Sequence, residues 1–310
     1  EKAANTSDET LKKRYQKEAD KWKDGGIYKV ALHGGFGAVV SNMAGGSSLE
    51  GFTVASANEV MIGAIAKELA KHPNSTIDAN GKYVDNSDTY LSITEALKAA
   101  AWAEGCRVAI RWLAAESLTS ADLQQLDGVV VPGGFGERGV EGKIMAADYC
   151  LRHNLPYLGI CLGLQVAVIA AARRGGMPQA GSQEFGAAPD QQVVYLMPGQ
   201  EGQQSTGGTM RLGNYPAVLQ NSSLVKSIYG LTEVIERHRH RYEVNQSFVQ
   251  AIQRGGVRVS GTSPDGQLVE FVEAPECDFF VATQAHPEFR SRPYRPHPLF
   301  TGLLRTCLTK

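Results

Sequence analysis

The chain has few cysteines, almost no net charge and no long apolar run. None of its apolar stretches approaches the roughly 18 residues of a membrane-spanning helix, and its charged start lacks a secretory signal's apolar core. No membrane partner is therefore expected. With 31 Lys and Arg against 32 Asp and Glu, the net charge of -1 excludes the basic balance of a general nucleic-acid binder. Five cysteines, an odd number without paired spacing, argue against a disulfide framework and for a reducing, cytoplasmic setting. A Gly-x-Ser-x-Gly elbow, a Gly-x-x-x-x-Gly-Lys-Ser/Thr phosphate loop and internal repeats are all missing.

What is present is a soluble-type balance, 43% hydrophobic and 20% charged over 310 residues, enough for one large or two modest domains. Leu11, Tyr15, Ala19 and Trp22 form a thin apolar stripe that predicts a helix over 8–23. A buried strand is expected at 27–32. The stretch 33–51 is rich in Gly and Ser. Its His33-Gly34-Gly35 resembles a hydrolase oxyanion loop but has no serine elbow to serve, so a loop is expected. Ser56-Ala57-Asn58-Glu59 caps a further helix with Ile62, Ile65, Ala66 and Leu69 on its buried face.

From Gly81 the pattern becomes regular. Helices are predicted over 90–104, 120–126 and 140–153, with strands over 107–113 and 128–131. A strand then runs into Gly159-Ile160-Cys161-Leu162-Gly163, and a helix over 166–174 follows. Alternation of this kind predicts an α/β fold with an open, mostly parallel central sheet and helices on both faces. Ligands then collect at the carboxyl ends of the strands. Beyond 174 the pattern changes. The stretch 175–208 is loop-rich apart from a strand at 193–197. Strands at 233–244, 257–262, 268–274 and 279–285, with helices at 246–254 and 298–308, predict an additional antiparallel region.

Gly-x-Cys-x-Gly between a strand and a helix is the cysteine form of a nucleophile elbow. The turn is tight enough to need small neighbours, and the helix N-terminus favours a negative sulfur. A thiol nucleophile also needs a base, a partner to orient it, and oxyanion donors. His286 ends the 279–285 strand, and Glu288 stands two residues on, which fits the logic of a triad. Gly134 in Pro132-Gly133-Gly134-Phe135-Gly136, together with Leu162, is placed to offer backbone N–H groups. On a strand, His238-Arg239-His240-Arg241 puts its histidines on one face and its arginines on the other. No carboxylate or cysteine cluster completes a metal site in the sequence, and no metal is expected.

Val131-Pro132-Gly133-Gly134-Phe135-Gly136, the elbow around Cys161, and His286-Pro287-Glu288 together resemble class I glutamine amidotransferases. Gly207-Gly208-Thr209-Met210-Arg211-Leu212-Gly213 and Glu236-Arg237-His238-Arg239-His240-Arg241-Tyr242-Glu243-Val244-Asn245 narrow the resemblance to glutaminase domains of the CTP synthase family. The resemblance implies a flavodoxin-like fold and a reaction in which Cys161 attacks the amide of glutamine. His286 then protonates the departing ammonia and activates water, and Glu288 orients His286. It further implies that Gln165 and Glu184 hold the amino-acid end of glutamine, that Arg241 takes its carboxylate, and that Gly133, Phe135 and Tyr242 line the site. It implies no cofactor in this domain. The full-length enzyme would be a homo-oligomer using ATP and Mg with GTP as allosteric activator, its synthetase domain aminating UTP with the ammonia.

The sequence departs from that family in two ways. Residues 33–80 separate the first strand from Gly81-Lys82-Tyr83 and read as an insertion in a glutamine amidotransferase domain of 27–310, with 1–26 an interdomain linker helix. The synthetase domain is not in the chain. A non-catalytic regulatory or assembly domain of the same fold, and a free-standing gamma-glutamyl hydrolase, stay open as alternatives.

Overall fold

The computed structural model describes residues 90–196 and 210–310, all within one unit, Ser87–Lys310. The expectations for the helix over 8–23, the strand at 27–32, the loop at 33–51, the helix capped at Ser56 and the 33–80 insertion lie outside the described residues.

The strand leading to the elbow, β2 (Tyr157–Ile160), is buried at every residue and pairs in parallel with β1 (Val129–Val131) and β10 (Phe280–Thr283). Beyond β10 the sheet turns antiparallel through β9 (Val269–Glu273), β8 (Arg258–Thr262), β5 (Arg211–Leu219) and β6 (Glu233–His240). The result is one seven-stranded mixed sheet, ordered β1-β2-β10-β9-β8-β5-β6. The antiparallel region continues the parallel sheet and does not pack apart from it. A three-stranded sheet, β3 (Gly181–Ser182), β4 (Gln192–Leu196) and β7 (Tyr242–Val244), stands beside it.

Successive residues of β2 and β10 serve opposite faces, as the two-residue strand period requires. Tyr157 and Phe280 join one core with α3 (Val140–His153), α4 (Leu162–Arg174) and α6 (Val249–Arg254). Leu158 and Val281 join the other with α1 (Leu91–Ala103), α5 (Leu224–Tyr229) and α7 (Pro298–Leu308). α4 is buried from Leu162 through Ala172, the all-round apolar pattern of a helix enclosed by its neighbours. A short helix, α2 (Ser120–Leu123), carries a Thr119–Asp122 capping box.

Two expected strands come out differently. Residues 106–114 form no ladder among the described residues, although Val108 and Ile110 still pack on the core. The strand expected over 233–244 is two strands, β6 and β7, in different sheets. Arg241 lies at the break. No helix among the described residues is long and apolar enough to cross a membrane.

Candidate active site

Cys161 holds a left-handed backbone, φ 53° and ψ -101°, a strained state for a residue with a side chain. The surroundings impose it. A Cβ on Gly163 would fall 2.2 Å from the carbonyl oxygen of Val131, and one on Gly159 would fall 2.7 Å from the Gly163 backbone. β1, β2 and α4 thus approach too closely for any side chain at the two flanking positions. The Cys161 amide donates to the Thr283 carbonyl at 2.8 Å, and the buried Tyr157 hydroxyl donates to the Gly163 carbonyl at 2.8 Å.

His286 leaves the end of β10, and its amide donates to the Arg237 carbonyl at 2.7 Å. Its Nδ1 meets Glu288 Oε1 at 2.7 Å, and Phe289 stacks on the ring with centroids 5.3 Å apart. Burial opposes charge on His286, but hydrogen bonds to Cys161 and Glu288 and their charges outweigh it, raising its pKa to about 10. Gly133 is the floor between base and thiol, since a Cβ there would lie 2.7 Å from His286 Cε1 and 3.5 Å from the Cys161 Cβ. Gly134 faces Leu162, whose side chain would lie 3.4 Å from an added Cβ. The Leu162 amide, in the first turn of α4, has no intrahelical acceptor by position.

Beyond the thiol, the Gly136 amide donates to Glu184 Oε1 at 2.9 Å. Burial raises the Glu184 pKa against that hydrogen bond and the charges of Arg241 and Lys143. Tyr242 is raised too, first by burial and then by the Glu184 charge. Gln165 Nε2 donates to the Tyr242 carbonyl at 3.3 Å. Phe135 is exposed beside these groups. An acid, a cation and a phenol, Glu184, Arg241 and Tyr242, thus lie within charge range of one another.

Sequence reasoning missed Gln284. It is fully buried, and its Nε2 lies 3.8 Å from the Cys161 sulfur as a donor. Its place two residues before His286 was the available signal. The two histidines of the basic run also have carboxylate neighbours, one of them far away in sequence. Glu270 Oε2 lies 3.5 Å from His238 Nε2, and Glu243 Oε1 lies 3.5 Å from His240 Nδ1. These carboxylates come from β7 and β9, and the Arg211 guanidinium stands with them. Among the described residues no group of three or more such side chains is arranged to hold a metal.

A thiol on a strained strand-to-helix turn, facing a carboxylate-bound imidazole at the carboxyl end of the next strand of an α/β sheet, has the arrangement that cysteine-dependent acyl transfer requires. The model of the family described as "Glutamine amidotransferase class-I" matches residues 86–306, and the chain belongs to that family. Within it, CTP synthase of Acidothermus cellulolyticus is 52% identical over 245 residues, 75% of this chain and 44% of the relative. CTP synthase of Methanocaldococcus jannaschii is 50% identical over 244 residues, 75% of this chain and 45% of the relative. The solved glutaminase domain of Trypanosoma brucei CTPS, with bound acivicin, superposes with a TM-score of 0.69 at 36% identity. That match covers 74% of this chain and 92% of the trypanosomal one. The chain is thus homologous to CTP synthase glutaminase domains, and it spans less than half the length of the curated relatives it matches.

Proposed function

We propose that this domain hydrolyses L-glutamine to glutamate and ammonia at Cys161, and that the ammonia aminates UTP in a CTP synthase. The observation that carries the reading is the pairing of an elbow thiol with an imidazole whose other nitrogen is held by Glu288 at 2.7 Å. In the first half-reaction the Cys161 sulfur bonds to the side-chain carbonyl carbon of glutamine. The Gly134 and Leu162 amides stabilise the resulting oxyanion. His286 gives its proton to the departing nitrogen, the C–N bond breaks, and a glutamyl thioester and ammonia result. In the second, His286 takes a proton from water, the hydroxyl attacks the thioester, and glutamate leaves as the thiol is restored.

Substrate orientation follows from charge. Glu184 suits the ammonium of glutamine and Arg241 its carboxylate, with Gln165, Tyr242, Gly133 and Phe135 completing the walls. A synthetase domain partner, a homo-oligomer, a cytoplasmic setting and use of ATP, Mg and GTP belong to the proposed full-length enzyme. We assign residues 1–26 to a linker and 33–80 to an insertion on sequence alone.

The test is ammonia release from glutamine by the chain, alone and joined to a synthetase domain with its nucleotides. Release should disappear in Cys161→Ala. An electrophilic glutamine analogue should leave its adduct mass on the Cys161 peptide. No release even in the joined enzyme would sink the reading, and a preference for γ-glutamyl peptides would replace its substrate.

A further inference from the structure

Behind the site lies a buried group that the chemistry above leaves unused. Arg211, His238, His240, Glu243 and Glu270 are all nine-tenths or more buried. They come from β5, β6, β7 and β9, and His286 is close enough for its charge to act on both histidines.

The directions of the contacts are constrained at one end. His240 Nδ1 faces the Tyr242 carbonyl at 3.2 Å and Glu243 Oε1 at 3.5 Å. A carbonyl can only accept, so this nitrogen carries a hydrogen. His240 Nε2 lies 3.0 Å from His238 Nδ1. With His240 neutral, Nε2 must accept, so His238 Nδ1 donates. His238 Nε2 then faces Glu270 Oε2 at 3.5 Å, an oxygen with no hydrogen-bond partner among the described residues. Two lone pairs facing each other in a buried site are unfavourable unless a proton joins them.

We propose that Glu270 Oε2 and His238 Nε2 share one proton. It starts a one-way hydrogen-bond chain from Glu270 through His238 and His240 to the Tyr242 carbonyl, and this chain positions Arg241. The last link crosses the break between β6 and β7, the single residue Arg241. The same Tyr242 carbonyl accepts from Gln165 at 3.3 Å. The chain therefore sets a peptide that two proposed glutamine-binding residues share. These four members are positioning residues, since none touches the reacting atoms.

Charge calls for one proton on this pair of carboxyls. Burial, then repulsion from Glu270, pushes Glu243 up to about 8 against the pull of Arg211, and burial raises Glu270 as well, opposed by Arg211 and reinforced by Asp265. Two carboxyls against one guanidinium hold one proton between them at neutral pH. The tautomers put it on Glu270, because the groups near Glu243 Oε1, Arg211 Nη1 at 3.6 Å and His240 Nδ1 at 3.5 Å, both carry hydrogens, whereas His238 Nε2 does not. Burial brings His238 down to about 2 and His240 to about 3, so both rings are neutral.

The role in glutamine binding rests on the proposed function, whereas the proton chain itself does not, and the experiment separates the two. In long-range ¹H–¹⁵N spectra of the full chain, His238 and His240 should both appear as neutral Nδ1–H tautomers from pH 5 to 8. Either ring in the Nε2–H form, or titrating near neutrality, overturns the chain whatever the activity. In Glu270→Gln the amide N–H replaces the shared proton and its oxygen still accepts from Arg211, whereas Glu270→Leu supplies neither. KM for glutamine should stay within about twofold in the first and rise about tenfold in the second, with kcat moving less. Equal KM values in the two variants would overturn the positioning role. If the unaltered enzyme releases no ammonia, the functional reading fails, and the tautomers alone decide the chain.

Discussion

At the scale of single residues, the strain at Cys161 and the donor beside it are two halves of one device. The turn pushes the sulfur out of the sheet, and Gln284 supplies an N–H to it from a position without solvent. A hydrogen bond to a charged acceptor contributes about 1.5–3 kcal/mol, and each 1.36 kcal/mol is tenfold in rate. Gln284→Leu should accordingly slow glutamine hydrolysis and adduct formation at Cys161 by about tenfold or more. The comparison is made by single-turnover kinetics, with thermal melting as a check on folding. Unchanged rates would mean that the amide serves packing alone.

At the scale of elements, most helices were legible because their apolar periodicity is local. The 140–153 and 298–308 predictions coincide with α3 (Val140–His153) and α7 (Pro298–Leu308). The elbow and the His286–Glu288 pair were legible for the same reason, since each lies in one short stretch. What local pattern could not show was pairing. The β6–β7 break appears only when Tyr242 joins β4 while His240 stays paired with Arg211. Likewise Glu270, beside His238, comes from a strand distant in sequence. β5 went unread because its long ladder to β6 makes it a strand, whereas Gly213 and Pro216 within it signal a turn.

Another long-range tie supports a prediction about elements. Buried Glu273 on β9 accepts from Arg258 Nη2 at 2.7 Å and from the Val225 amide of α5 at 3.1 Å. It joins two strands to a helix N-terminus, where a carboxylate is favoured. Glu273→Ala leaves that amide buried without its acceptor and should cost about 2–3 kcal/mol in denaturant unfolding. Arg258 is partly exposed and can turn to water, so its ion pair adds little to that figure. A loss under about 0.5 kcal/mol, the scale of an ordinary surface substitution, would refute the tie.

For the whole molecule, the buried titrating groups set how stability depends on pH. His238 and His240, held down at about 2 and 3, refuse protons that an unfolded histidine binds below 6.5. The unfolded chain then holds more protons, so stability rises with pH up to about 6.5. The Glu243–Glu270 pair, with burial raising both carboxyls, keeps one proton that unfolded glutamates lose near 4.5, so its contribution falls as pH climbs above that value. His286, raised to about 10, contributes stability that is complete below 6.5 and is lost as pH climbs towards 10. Below 6.5 the two histidines of the chain outweigh the single proton of the Glu243–Glu270 pair; above it that pair and His286 act together downward. The melting temperature should therefore peak near pH 6.5 and fall on both sides. His286→Asn removes the group that spans the alkaline side, so its melting temperature should decline less than the unaltered protein's between pH 7 and 9. A stability maximum above pH 8, or an alkaline limb of equal slope in the variant, would show that these buried groups do not govern the profile.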